Sequence, residues 1–136
     1  MSEDSTFGSF IREKRMALQP HISMRKMAEL LSLSPVHMSN IETGRETAPK
    51  VEVLVEISQQ LKLNKQETEL MYDLAAKSKN SLTVPGDLPE YITSNEYAKI
   101  ALRVAKDVDA TDEEWIAFIE KLKTRGNVTA DEPMSD

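Results

Sequence analysis

The side chains best suited to recognising a ligand lie close together in one stretch, residues 32–45, which reads SLSPVHMSNIETGR. Met38 and Ile41 are apolar and three residues apart, so they mark the buried side of a short helix. The other side carries groups that no core obviously requires, namely Val36, His37, Ser39 and Asn40. An imidazole, an amide and a hydroxyl beside a small apolar group suit the reading of base edges in a major groove, which is wide enough for one helix.

The residue types give less support to metal binding, phosphate binding or catalysis. His21 and His37 are the only histidines, cysteine is absent, and no spacing typical of metal ligands occurs. The acidic run at residues 112–114 suits a helix N-terminus, where the helix dipole favours negative charge. The sequence contains neither a Gly-rich phosphate loop nor a Ser/His/Asp arrangement. We therefore expect no metal, no cofactor and no enzymatic activity.

The charge is distributed unevenly along the chain of 136 residues, whose net charge is −6. Residues 1–79 hold 11 basic and 11 acidic side chains, whereas residues 80–136 hold 6 basic and 12 acidic ones. A nucleic-acid partner would therefore bind through placed contacts in the first part more than through bulk charge. The polar, acidic N-terminus and the lack of a long apolar run lead us to expect a cytoplasmic protein with no membrane partner.

The apolar spacing is helical nearly throughout, so we expect an all-α fold. A first helix is predicted over about 5–18, Ser23 and Ser34 are N-cap candidates for the next two, and Gly44 ends the third. A fourth stripe runs from Val51 to Leu61, and Asn64 is the candidate cap of a fifth helix. We therefore expect a domain of five helices over residues 5–76.

The composition changes after the fifth helix. Residues 77–89, KSKNSLTVPGDLP, contain two prolines and a glycine and are predicted to be a linker. Two helices are expected in the next segment, 90–126, because Thr93 and Thr111 both have capping-box spacing. Residues 127–136 are expected to form a flexible acidic tail.

Residues 7–75 resemble the Cro/CI-like helix-turn-helix family, also called XRE. The resemblance rests on the segment SMRKMAELLSLSPVHMSNIETGR. Its most specific part is the motif Ser-Pro-x-x-hydrophobic-Ser-x-Ile-Glu-x-Gly-Arg. The sequence departs from the family pattern in three places. Ser32 replaces the usual turn glycine, Met24 replaces a polar residue that often contacts phosphate, and QPHI at residues 19–22 is about two residues longer than usual.

The resemblance implies a role for each matching residue. Base contacts would come from the start of the third helix, residues 34–43, and from one turn later: Pro35, Val36, His37 and Asn40. Phosphate contacts would come from Arg25, Ser34, Ser39, Thr43, Arg45 and Lys50. Arg15 and Glu42 match a structural ion pair of the family. Simpler interpretations remain open, since His37 could be a solvated surface residue and Arg45 could merely cap helix carbonyls.

The C-terminal segment carries apolar stripes that two short helices cannot bury alone. Their members are Tyr97, Ile100, Val104, Trp115, Phe118, Ile119 and Leu122. They could dock on the first domain, on a second copy or on another protein. We expect a homodimer contact, since paired half-sites in an inverted repeat match a two-fold protein. The segment also resembles, more weakly, the C-terminal part of small XRE regulators of mobile elements, some of which are encoded beside a metalloprotease or a toxin.

Two functions remain in consideration. The first is a dimeric, sequence-specific regulator of double-stranded DNA, expected to repress transcription, including that of its own gene. The alternative is an antitoxin-like module whose C-terminal helices bind another protein, such as a toxin or a metalloprotease.

Overall fold

A computed structural model describes residues 5–80 and 82–126, which form eight helices and no strand. The helices are α1 Phe7–Ala17, α2 Met24–Leu30, α3 Pro35–Thr43, α4 Val51–Gln60, α5 Lys65–Lys79, α6 Pro89–Ser94, α7 Glu96–Val108 and α8 Asp112–Gly126. The chain divides into two compact units, of which the first ends at Asp87 and the second begins at Leu88. The expectation of an all-α protein with a five-helix domain and further C-terminal helices is confirmed.

Local capping explains where the helices of the first unit begin. Ser23 accepts a hydrogen bond from the backbone N–H of Lys26, and Ser34 accepts one from that of His37. Asn64 and Glu67 form a reciprocal capping box at the start of α5. These side chains satisfy backbone donors that have no partner inside the helix, so the predicted caps at Ser23, Ser34 and Asn64 are confirmed.

The core of the first unit draws apolar residues from all five helices. Its largest fully buried side chains are Phe10, Ile11, Met27, Met38, Ile41, Ile57 and Met71. Both α1 and α2 pack against α3. The short third helix is therefore held by its neighbours rather than by its own length, which is too small for independent stability.

The turn between α2 and α3 has a left-handed residue at Ser32, whose φ is 58°. The next backbone N–H, that of Leu33, donates to the Ala28 carbonyl at 2.8 Å, as in a Schellman C-cap. Lys62 has the same left-handed conformation after α4, with a φ of 54°. The turn thus keeps its geometry without glycine and retains the strain of a side chain at positive φ.

The second unit differs from the expectation of a linker followed by two helices. It contains three helices, since α6 at Pro89–Ser94 precedes the two that were expected. In the first unit, α5 extends to Lys79 and so enters the segment predicted as linker. The predicted cap at Thr93 is wrong, since Thr93 lies within α6 and its hydroxyl donates to the Pro89 carbonyl. Asn95 caps α7 instead, by accepting from the Ala98 N–H at 3.1 Å.

The capping box predicted at Thr111 is present at the start of α8. Its hydroxyl accepts from the Glu114 N–H at 3.1 Å, and the Glu114 carboxylate accepts from the Thr111 N–H at 3.0 Å. The predicted tail at 127–136 lies outside the described residues.

Candidate nucleic-acid interface

Helix α3 begins and ends at residues suited to those positions. Ser34 caps its N-terminus, and Pro35 occupies the first turn, where its missing N–H costs no hydrogen bond. Gly44 follows Thr43 with a φ of 84°, a left-handed conformation that glycine adopts without strain. The helix is therefore confined to nine residues by local chemistry.

Two apolar side chains anchor the helix, and its first turn is exposed. Met38 and Ile41 are buried, with 0% and 2% of their surface exposed. Pro35 is exposed, Val36 is 70% exposed, and Asn40 is half-buried. Val36 therefore contributes little to the core, and its side chain is accessible to another molecule.

A buried ion pair braces the C-terminal end of α3. Arg15 on α1 donates to both carboxylate oxygens of Glu42, with N–O distances of 3.0 and 2.9 Å. Both side chains are only 7% exposed. Arg15 also donates to the carbonyl of Ile22 at 2.8 Å, so one guanidinium joins α1, α3 and the segment before α2. The two residues named by the resemblance thus lie together in a bidentate, fork-like geometry.

A second brace was not foreseen from the sequence. Gly8 on α1 lies so close to α3 that a Cβ atom added there would be 2.4 Å from the carbonyl oxygens of both Ile41 and Glu42. Only a residue without a side chain allows this approach. A glycine early in a helix is the one signal that could have pointed to it, because glycine is otherwise unfavourable there.

The three basic candidates for phosphate contact lie at or next to helix ends. Arg25 lies in the first turn of α2, Arg45 lies just after Gly44, and Lys50 is the N-cap residue of α4; all three are exposed. The Ser34 hydroxyl accepts the capping hydrogen bond and keeps its own proton available as a donor.

Two other hydroxyls of the predicted set differ in their availability. Thr43 donates its hydroxyl proton to the Ser39 carbonyl at 3.0 Å, and a phosphate contact would require this hydroxyl to rotate. Ser39 is half-buried on the same helix.

An acidic residue that the sequence analysis did not single out lies beside the predicted base contacts. The Glu46 carboxylate accepts a hydrogen bond from the Asn40 side-chain amide at 3.2 Å. Its other oxygen is 3.7 Å from Nε2 of His37. Nothing in the local sequence indicates these contacts, because they depend on how the loop after Gly44 folds back on α3.

Comparison with known families bears on this geometry. A family model described as helix-turn-helix matches residues 11–67. This region is a Cro/CI-like (XRE) helix-turn-helix domain. In the helix-turn-helix domain α2 and α3 are the paired helices, and α3 is the one whose first turn is exposed at Pro35 and Val36. No curated protein and no solved structure matched the chain.

The family is one of DNA-binding regulators, so the chain carries a DNA-binding helix-turn-helix domain. Within residues 5–80 and 82–126, no three His, Cys, Asp or Glu side chains are grouped so as to hold a metal ion. None of the helices described there combines the length and apolar character needed to span a bilayer.

Proposed function

We propose that this protein is a dimeric transcriptional repressor that places α3 in the major groove of an inverted-repeat operator. The observation that carries the proposal is the division of α3 into two faces. Met38 and Ile41 hold it to the core, while Val36 is exposed and the polar groups of His37, Ser39 and Asn40 are partly exposed. The Arg15–Glu42 pair and the close approach at Gly8 hold the helix rigidly enough to read sequence.

The fully and partly exposed groups on α3 have chemical matches on base edges or phosphates. The Asn40 amide can pair bidentately with adenine N6 and N7, and Val36 can pack on a thymine methyl group. His37 can serve a base or a phosphate, and Pro35 can make only an apolar contact. Arg25, Arg45 and Lys50 would neutralise phosphates and set the register of the helix on the duplex.

The second unit supports the dimeric part of the proposal. Six of the seven residues predicted there as partner contacts are exposed, and Tyr97 is 82% exposed. Trp115 is half-buried and makes an edge contact with Phe118, with ring centroids 6.3 Å apart. Among the described residues of this unit none is fully buried, so its apolar side chains gain most from a partner surface.

The same exposed apolar residues favour a second candidate function. In it the protein is an antitoxin-like module, and α6–α8 bind a different protein. A chain ending at Asp87 separates the candidates, because the first unit has its own core. Under the first proposal the shortened chain becomes monomeric and loses DNA affinity. Under the second it loses capture of a partner.

The decisive test is a footprint of the full chain on the DNA upstream of its own gene, repeated with Asn40→Ala. We expect a protected inverted repeat with the unmodified protein and an affinity loss of about 1–3 kcal/mol with the variant. Gln66→Ala is the matched control, since it removes an exposed amide from α5. Equal protection by Asn40→Ala and Gln66→Ala would refute base reading by α3.

A further inference from the structure

The carboxylate of Glu46 lies beside Asn40 and His37, two side chains that would contact base edges under the proposed function. Its backbone N–H donates to the Asn40 carbonyl at 3.1 Å, which folds the loop back onto the last turn of α3. Its two carboxylate oxygens then face the Asn40 amide at 3.2 Å and the His37 ring at 3.7 Å. The side chain remains 46% exposed, so it can also meet a ligand.

The contact leaves Asn40 able to read adenine. A side-chain amide has two N–H donors and one carbonyl oxygen. Glu46 engages one donor, and the bidentate pair with adenine needs only the other donor and the oxygen. The hydrogen bond therefore holds the amide of Asn40 in one orientation without occupying the groups that would read the base.

The charge of Glu46 acts differently on correct and incorrect DNA. A carboxylate near a duplex is repelled by phosphates and loses hydration when it meets bases. Each base pair offers one amino donor in the major groove, from adenine or cytosine, on one of its two strands. If the carboxylate faces the guanine or thymine of a pair, it meets an acceptor oxygen and gains no donor from the DNA, which penalises that orientation of the pair.

We propose that Glu46 is a specificity-determining residue of this interface. Its carboxylate orients Asn40 and penalises any duplex with guanine or thymine, rather than adenine or cytosine, at the strand position that it faces next to the base read by Asn40. This inference rests on the proposed function and deepens it, because it restricts one strand position of the operator to adenine or cytosine.

The test compares selected and scrambled DNA. Duplexes would be enriched from a random library with the full chain, and affinities for the enriched site and for a scrambled duplex would be measured by fluorescence anisotropy. Glu46→Gln keeps an oxygen that can accept from Asn40 but removes the charge. Glu46→Ala removes both. Glu13→Gln, at an exposed residue of α1, controls for net charge alone.

We expect Glu46→Gln to bind scrambled DNA about 3- to 10-fold more tightly at low salt, with a smaller change for the enriched site. Its enriched sites should lose the requirement for adenine or cytosine at the position next to the Asn40 base. Glu46→Ala should in addition bind the enriched site more weakly than Glu46→Gln, because Asn40 loses its orienting contact.

The outcomes separate this inference from the function on which it rests. If the unmodified chain enriches a site that Asn40→Ala no longer binds, yet Glu46→Gln behaves like Glu13→Gln, the role of Glu46 is refuted and the function stands. If the unmodified chain enriches no site, both are refuted. Urea unfolding of each variant shows whether a change in binding reflects the interface or a loss of folding.

Discussion

Replacing Arg15 with methionine should destabilise the first unit more than any change on its surface. The substitution keeps much of the side-chain volume but leaves the Glu42 carboxylate charged, 7% exposed and without its partner. Removing one member of a buried pair costs about 3–5 kcal/mol. The lost donor to the Ile22 carbonyl adds about 1 kcal/mol. This is a large part of the roughly 5–15 kcal/mol that stabilises an ordinary domain.

A double-mutant cycle shows whether the cost arises from the unpaired charge. Arg15→Met, Glu42→Leu and the double variant would be unfolded in urea, and the free energies of unfolding compared. We expect the double variant to lose much less stability than the two single variants together, since a methionine–leucine contact leaves no buried charge. Lys26→Met is the control: it breaks an exposed pair with Glu29 and should change stability by no more than about 0.5 kcal/mol.

Two results would contradict this reasoning. One is a loss of less than about 1 kcal/mol for Arg15→Met, which would mean that water reaches the carboxylate and that the pair resembles a surface ion pair. The other is strict additivity in the cycle, which would mean that each side chain acts through its own packing. The same variants also test function, because a loosened α3 should lose affinity for an enriched site more than for scrambled DNA.

Three further predictions concern α1, the turn before α3 and the dependence of the free energy of unfolding on pH in acid. Gly8→Ala should lower the free energy of unfolding by about 1–3 kcal/mol, since its Cβ would meet the Ile41 carbonyl at 2.4 Å; unchanged urea midpoints would contradict this. Ser32→Gly should raise it by about 0.5–1 kcal/mol by relieving the positive φ, whereas Ser32→Ala should bring no gain. The hydrogen bond from Lys14 lowers the pKa of Glu67, so this carboxylate contributes stability above its unfolded pKa that is lost as the pH falls through its folded pKa. The stability difference between the unmodified chain and Lys14→Met should therefore be largest near neutral pH and vanish in acid, and a difference that persists at low pH would exclude this explanation.

Much of the first unit follows from short-range sequence rules. Helix caps involve contacts within three or four residues, so the residue types alone predict them. This holds for the N-caps at Ser23, Ser34 and Asn64 and for the end of α3 at Gly44. The buried side of α3 is equally local, because a three-residue spacing defines a helix face. The Arg15–Glu42 pair is not local, and it was expected only because the sequence resembles a family that has it.

The errors in the second unit arose where two local rules compete. Thr93 and Asn95 are both good caps close to the start of α7, and Thr93 also has capping-box spacing with Glu96. The choice of Asn95 depends on α6, a short helix that the proline and glycine nearby did not suggest. Two adjacent candidates of similar strength cannot be ranked without knowing what precedes them.

Within the first unit, local sequence patterns specify the helix order, the caps at Ser23, Ser34 and Asn64 and the buried side of α3, because these depend on neighbours within one or two turns. The requirement that Gly8 lack a side chain, and the contacts of Glu46 with Asn40 and His37, come from tertiary packing. The contact of Gly8 joins segments more than thirty residues apart. That of Glu46 requires a loop to fold back on its own helix. In both cases the meeting point is set by the packing of the whole unit, which no local pattern encodes.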